Sequence, residues 1–322
     1  MAQNAPGKAH RKGISLKQLF RMFPDDDAAR RWFESKIWRD GPYCPHCGSF
    51  NVQVGIRHKT MTHRCRDCDG RPMFSLKTGN IMEGSKLGYQ TWAIAIYLVT
   101  TNLKGVSSLK LHRDLEVSQK SAWHLAHRLR KAFETDPPIF AGPAEADEFY
   151  AGGKESNKHA SKKLHAGRGA VGKVPVAGIR DRATGHVAAQ VVPDTRKETL
   201  QDFVLDRTVE GATVYTDEAL AYRGLPGRRH ETVRHSAGEY VRGMASTNGL
   251  ESFWAMLRRG HDGVFHHFSA KHLDRYIAEF SGRHNMRNAD TVDMMAMIAR
   301  QSVGKRLRYR ELIADNGLNS GA

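Results

Sequence analysis

The sequence lacks two features that would mark a secreted or membrane protein. No stretch approaches the roughly 18 consecutive apolar residues of a spanning helix, and the first twelve residues are polar and basic, without the apolar core of a signal peptide. Cysteine is also scarce, with four in 322 residues, all between positions 44 and 68. Disulfides that stapled a chain of this size would be spread along it. We therefore expect a soluble, cytoplasmic protein without membrane contacts.

Acidic residues are outnumbered along the whole chain. There are 50 Lys and Arg against 34 Asp and Glu, which gives a formal net charge of +16. Such an excess speeds association with nucleic acid and makes binding depend on salt, but it specifies no sequence. The charge thus favours a polyanionic partner. On charge alone, DNA, ribosomal RNA and a membrane surface all remain open.

The cysteines form two pairs, Cys44 with Cys47 and Cys65 with Cys68, separated by seventeen residues. Four thiolates match tetrahedral Zn²⁺ in charge and softness. This spacing predicts a zinc ribbon over residues 41–80, after a helical segment at 14–40. Structural Zn²⁺ would hold the ribbon together, because two short strands have almost no core of their own. Four unrelated cysteines are the alternative, which the paired spacing disfavours.

Residues 87–136 have helical periodicity. The pattern predicts helices over 87–103, 106–115 and 119–133, with Ser118 as the N-cap of the third. This is the spacing of a helix-turn-helix, whose third helix would contact base edges and phosphates. The alternative is a three-helix linker with solvated charges. The residues that the third helix would expose are Gln119, Lys120, His124 and either Arg128 or Arg130.

After Pro137-Pro138 the pattern changes to strands, and two acids occupy special positions among them. Asp147 lies inside an apolar run, where a carboxylate costs several kcal/mol unless a charge or a metal compensates it. Asp217 follows the strand predicted at 211–215, at the end where sites in α/β sheets collect. We predict an α/β domain over 140–287, a mixed sheet flanked by helices. A C-terminal helix and tail at 288–322 would follow, with the last dozen residues unstructured.

A third candidate acid lies on a helix predicted from about residue 246. At 100° per residue, Asn248, Glu251 and Arg258 share one polar stripe, while the apolar residues between them can be buried. Three carboxylates on two strands and a helix can hold two Mg²⁺ ions, with Mn²⁺ able to substitute, about 4 Å apart for phosphodiester chemistry. Arg258 would then face the phosphate. Unrelated surface acids are the alternative reading of each acid taken singly.

Three stretches around these acids resemble bacterial insertion-sequence transposases of the ISXO-like branch. They are 147–159 (DEFYAGGKESNKH), 214–222 (VYTDEALAY) and 247–260 (TNGLESFWAMLRRG), and 266–276 and the ribbon resemble the family as well. The resemblance implies an RNase H-like catalytic domain that cleaves and joins DNA strands at terminal inverted repeats, using Mg²⁺. It makes Asp147 the first acid and Asp217 the second.

The third position of the acidic site stays a choice between two residues. Glu251 is favoured because it is charged and because Arg258 follows it by two helical turns. Asn248, in the same motif, would then be a neutral ligand or a substrate contact. The resemblance also implies double-stranded DNA partners, both terminal repeats and target. Since two ends must meet, we expect a homodimer or larger assembly on DNA, located at the nucleoid.

Basic residues outside the helical region supply further candidate DNA contacts. Lys154 and Lys158 belong to a glycine-containing basic segment, and Arg258 and Arg259 end the helix that carries Glu251. Two other functions remain open at this point. One is a non-catalytic DNA-binding regulator derived from a transposase, and the other is a structure-specific nuclease on the same fold.

Overall fold

A computed structural model describes residues 12–153, 159–160, 163, 172–233 and 247–318. The chain divides into two compact units. The first combines residues up to Phe133 with Met286–Ala314, and the second consists mainly of Glu134–Asn285. Among the described residues, every helix is too short or too polar to span a bilayer.

The first unit opens with two helices and a small antiparallel sheet. Helix α1 (Leu16–Met22) begins at a Ser15 capping box, and Asp25 caps α2 (Asp26–Ile37). The sheet has the order β1-β2-β3. Its three short strands are β1 (Val52–Val54), β2 (His63–Cys65) and β3 (Met73–Phe74).

The predicted helical region forms three helices close to the expected bounds. They are α3 (Tyr89–Thr101), α4 (Ser108–Asp114) and α5 (Gln119–Ala132). The Ser118 side chain accepts from the Ser121 amide and so caps α5, as the sequence predicts. The last part of the chain returns to this unit, where α9 (Thr291–Gln301) packs against α2, α3 and α5.

The exposure expected for α5 is wrong beyond its first turn. Gln119 and Lys120 are exposed, but His124 is half-buried and Arg128 is buried. The Arg128 guanidinium donates to the backbone carbonyls of Leu307 and Glu83, at 3.2 and 3.0 Å. The cause is the returning C-terminal segment. Its helix α10 (Tyr309–Ile313) includes the first three of the last dozen residues, which the sequence predicts to be unstructured.

The second unit contains a five-stranded mixed sheet. Its strands are β4 (Ala144–Ala151), β5 (Val174–Asp181), β6 (Val187–Val191), β7 (Thr213–Thr216) and β8 (Arg229–Thr232). They lie in the order β6-β5-β4-β7-β8. Strand β4 pairs antiparallel with β5, and β5 pairs antiparallel with β6. On its other side β4 runs parallel to β7, which runs parallel to β8.

Helices cover both faces of this sheet. Helix α6 (Lys197–Leu205) packs on the face to which Ala144, Ala146 and Val214 point. Helices α7 (Asn248–Gly260) and α8 (Leu273–Asn285) pack on the opposite face. Because side chains alternate along a strand, Glu145 and Asp147 of β4 point toward α7. The apolar residues of α7 are buried as the sequence predicts: Leu250, Phe253, Trp254 and Leu257.

Candidate functional site

Three cysteine thiols of the ribbon converge on one point. The Sγ atoms of Cys44, Cys47 and Cys65 all lie within 4.8 Å of one another. The Cys47 and Cys65 sulfurs are 3.6 Å apart, close to the roughly 3.8 Å that Zn–S bonds of about 2.3 Å give in a tetrahedron. Burial raises the pKa of Cys44 to about 11, so its thiol needs a cation in order to ionise.

Cys68 lies beside this group and completes the predicted set of four. It packs against the cluster of Cys44, Cys65 and Phe74. The Ser49 backbone amide lowers the pKa of Cys47 most, and the neighbouring thiols, Cys68 among them, lower it further. The donor set therefore fits structural Zn²⁺. His63 is not a ligand candidate here, because it is buried between Trp38 and Phe74, where its ring stacks on Phe74.

Two of the three predicted acids meet at the parallel edge of β4. The pairing of Ala144 with Val214 and of Glu145 with Tyr215, continued by two residues, brings Asp147 beside Asp217. Asp217 follows β7 directly, and its Oδ1 accepts from the Ala219 amide at 3.0 Å. The structure thus places both aspartates where adjacent strands carry them, as the sequence predicts.

The carboxylates at this edge repel one another. Burial, followed by the charges of Glu148 and Asp217, raises the pKa of Asp147 to about 7. Burial and Asp217 also raise the pKa of Glu148, whose Oε2 accepts from the Tyr222 hydroxyl at 3.1 Å. Crowded acids of this kind favour either a retained proton or a bound cation. Glu148 and Tyr222 are not among the sequence-predicted site residues, although Glu148 is next to Asp147 in the chain.

Helix α7 is fixed on β4 by two hydrogen bonds, both donated by the helix to carboxylates of the strand. The backbone amide of Leu250 donates to Oε2 of Glu145 at 2.9 Å, and Nε1 of Trp254 donates to Oδ2 of Asp147 at 3.0 Å. Two strand residues span about 6.7 Å and four helical residues about 6 Å. The distance from Glu145 to Asp147 along the strand therefore matches the distance from Leu250 to Trp254 along the helix. Both bonds can form together, and they define the register of the helix along the strand.

Glu145 is the central group of this contact. It is 3% exposed, and its Oε1 accepts from Arg182 Nε at 3.0 Å and from Arg180 Nη1 at 3.3 Å. A Cβ at Gly249 would lie 2.2 Å from Nη1 of Arg180 and 2.8 Å from Oε2 of Glu145. A side chain at position 249 would therefore displace the Arg180–Glu145 ion pair. Glu145 is not among the sequence-predicted site residues, although an acid within an apolar strand indicates a buried and paired carboxylate.

The two candidates for the third position do not form a close group with the two aspartates. Asn248 and Glu251 are both exposed on the first turn of α7, and Oε1 of Glu251 accepts from the Thr247 hydroxyl at 3.0 Å. In the described part of the chain, the acids do not form a group whose ligand atoms all lie within 4.8 Å. Glu251 and Asn248 therefore stay predictions as ligands.

The candidate DNA contacts fall into three places. Gln119 and Lys120 lie on the exposed first turn of α5, where Lys120 Nζ is 4.6 Å from the Tyr309 ring centroid. Arg258 and Arg259 are exposed on the last turn of α7. Lys154 and Lys158 lie outside the described residues.

Both units of the chain contain a segment that matches a known protein family. Residues 139–285 match the model of the ISXO2-like transposase domain, and residues 24–71 match that of the transposase zinc-ribbon domain. The chain is also 33% identical over 264 residues to a Halobacterium salinarum protein described as "Uncharacterized protein in transposable element ISH50". That alignment covers 76% of this chain and 86% of the relative.

These matches define the class as a transposase with a zinc ribbon near its N-terminus. The chain belongs to the ISXO2-like transposases. Transposase domains bind DNA, which accords with the net charge of +16. The cysteine cluster and the ribbon match together support structural Zn²⁺.

Replacing Cys65 with Ser is expected to remove the zinc and to unfold the ribbon, because the small sheet has little core without it. Metal analysis of the purified protein should find one Zn²⁺ per chain in the wild type and none in C65S. The control is H46Q, which changes a potential ligand between Cys44 and Cys47. Loss of zinc from H46Q, or its retention in C65S, would show that the ligand set is different.

Replacing Glu145 with Gln is expected to loosen the first turn of α7. The control is E279Q, since Glu279 is 2% exposed and its Oε1 lies 3.3 Å from Arg283 on α8. Breaking either buried pair should lower the free energy of unfolding by about 3–5 kcal/mol. Only E145Q should speed amide hydrogen exchange in residues 248–254, measured by mass spectrometry. Unchanged protection there would contradict the register argument.

Replacing Asp147 with Asn is expected to stabilise the metal-free protein at pH 8. Because its pKa is raised to about 7, folded Asp147 keeps a proton that the unfolded chain releases at about pH 4. Its contribution to stability is therefore full below pH 4 and lost as the pH rises through 7. Thermal melts at pH 8 should place D147N at least about 4 °C above the wild type. A lower melting temperature for D147N would contradict the assigned repulsion.

Proposed function

We propose that this transposase cleaves DNA at the terminal inverted repeats of its insertion sequence and joins the ends to target DNA, using Mg²⁺ or Mn²⁺. One observation carries the proposal. Asp147 is a carboxylate in a strand interior, beside Asp217 and Glu148, with its pKa raised to about 7 by burial and by their charges. Hard oxygen donors crowded in this way suit Mg²⁺, which relieves the repulsion that no described lysine or arginine is seen to neutralise.

The roles of the chain's own residues follow from their contacts. Asp147 and Asp217 would hold the cations, and Trp254 fixes the orientation of the Asp147 carboxylate through Oδ2. Tyr222 does the same for Glu148 through Oε2. Two Mg²⁺ ions held there would supply activation of the attacking water or 3′-hydroxyl and stabilisation of the leaving oxygen. Because Asp147 must lose its proton before it can ligate, metal affinity should fall below about pH 7.

For the third ligand we propose Glu251, with Asn248 as a neutral ligand or substrate contact. Both side chains stand on the first turn of α7, whose register Glu145 and Trp254 define. Glu251 adds the negative charge that two divalent cations favour. If E251Q keeps full strand-transfer activity while N248A loses it, the two roles must be exchanged.

We further propose an RNase H-like fold for the second unit and a helix-turn-helix within the first. An antiparallel meander with two parallel strands added beside β4 supports the former. The Ser118 cap and the exposed first turn of α5 support the latter, with Gln119 and Lys120 as the contacts. Domain limits of 14–40, 41–80, 87–136, 140–287 and 288–322 belong to the same proposal. So do a homodimer or larger assembly on DNA and a place at the cytoplasmic nucleoid.

The decisive experiment incubates purified protein and Mg²⁺ with DNA bounded by the element's own ends. Wild-type protein should nick at the ends and join them to target DNA. The rates of nicking and joining should fall about 10³-fold or more in D147N and D217N, since the metal site lowers the activation free energy by several kcal/mol. The control is D202N, an exposed acid on α6. Binding without cleavage would leave a regulator, and cleavage without joining would leave a nuclease.

A further inference from the structure

A cavity of about 830 Å³ lies at the C-terminal end of β4 in the second unit. Phe149, Tyr150 and Ala151 of β4 line one side, and residues at and after the end of α7 line the other. The lining includes two cations, Lys173 and Arg258, together with Phe149, Gly152, Gly153 and His266.

The cavity continues directly from the carboxylates. Asp147 and Phe149 point to the same face of β4, about 6.7 Å apart along the strand. Trp254 touches both, since its Nε1 donates to Asp147 and its ring stacks on Phe149 with centroids 5.3 Å apart. Arg258 lies one helical turn farther on, with its Cζ 5.6 Å from the Phe149 centroid. A strand of DNA that passes Asp147 therefore reaches this cavity next.

The charge of the cavity is opposite to that of the acidic site. Within the described ranges, neither Lys173 nor Arg258 pairs with a carboxylate, and the lining acid Asp262 is bonded to His261 Nδ1 at 2.7 Å. The cation–π contact of Arg258 with Phe149 is weak, because the arginine is exposed to water. Arg258 can therefore turn to a phosphate at small cost, and in doing so it uncovers a face of the Phe149 ring.

The far wall has an unusual backbone. Residues His261–Phe265 form a π-helical turn directly after α7, and His266 follows with φ +58°. A non-glycine residue in the left-handed region is strained, and such residues cluster at functional sites. Single π-turns inside helices are likewise frequent at functional sites. His261, Asp262 and His266 of this segment line the cavity.

We propose that the cavity binds one unpaired nucleotide of the DNA strand that passes the carboxylates. Its phosphate would contact Arg258 and Lys173, and its base would lie against Phe149. Cavities of about 300–1,000 Å³ hold small ligands, whereas a duplex is too wide, and aromatic rings stack on unpaired bases of any sequence. This assignment rests on the proposed function, because it names the part of the substrate that lies beside the acidic site.

The test measures binding of a fluorescein-labelled oligothymidylate to the full chain without added Mg²⁺. R258Q and K173Q should each weaken binding about tenfold. The double variant should lose less affinity than the product of the two single losses, since both side chains contact one phosphate. The control is R229Q, an exposed arginine on β8 outside the cavity, for which we expect less than a twofold loss. Equal losses in R258Q and R229Q, or a double variant that loses the full product, would overturn the proposal.

A second measurement tests the base. One abasic position in the oligonucleotide should weaken wild-type binding about fivefold or more but leave F149L binding unchanged, because F149L already lacks the ring. Equal sensitivity of both proteins to the abasic position would overturn the contact with Phe149. Nicking with Mg²⁺, assayed in parallel, separates the two proposals. If the wild type nicks and R258Q behaves as R229Q does, only the cavity assignment fails.

Discussion

Glu145 has almost no contact with water, and its two oxygens accept from a helix amide and from two arginines. A buried carboxylate is tolerated only when such partners replace its hydration. Here the partners belong to α7, to β5 and to the turn that follows it, so satisfying one charge fixes the helix against two elements. The positions of Asn248, Glu251, Trp254 and Arg258 along α7 all depend on that register.

The same strand carries the destabilising part of the structure two residues later. Asp147 is crowded by Glu148 and Asp217, and hydrogen bonds from the Glu148 backbone amide and from Trp254 compensate it only in part. Glu145 is thus fully paired, whereas Asp147 remains poised between a proton and a cation. This difference between two acids on one face of one strand is the basis of the metal site proposed at Asp147.

The sequence predicted those parts of the site that depend on local spacing. The paired cysteines, the two aspartates at a strand interior and a strand end, and the apolar stripe of α7 all follow from periodicity or from short motifs. Glu145 was missed because its importance comes from Arg180, Arg182 and Leu250, which are distant in sequence. Arg128 was misjudged for a similar reason. The period of α5 shows which residues share a face, but not that Leu307 and Tyr309 would return to cover that face.

In the proposed metal site, Asp147 and Asp217 hold divalent cations beside α7. The most direct test is anomalous scattering from Mn²⁺ in crystals of the protein bound to its terminal-repeat DNA. We expect two Mn²⁺ peaks about 4 Å apart, with Asp147 and Asp217 as ligands and Glu251 completing the site. Mn²⁺ bound elsewhere, with no metal at the Asp147 carboxylate, would contradict the proposal.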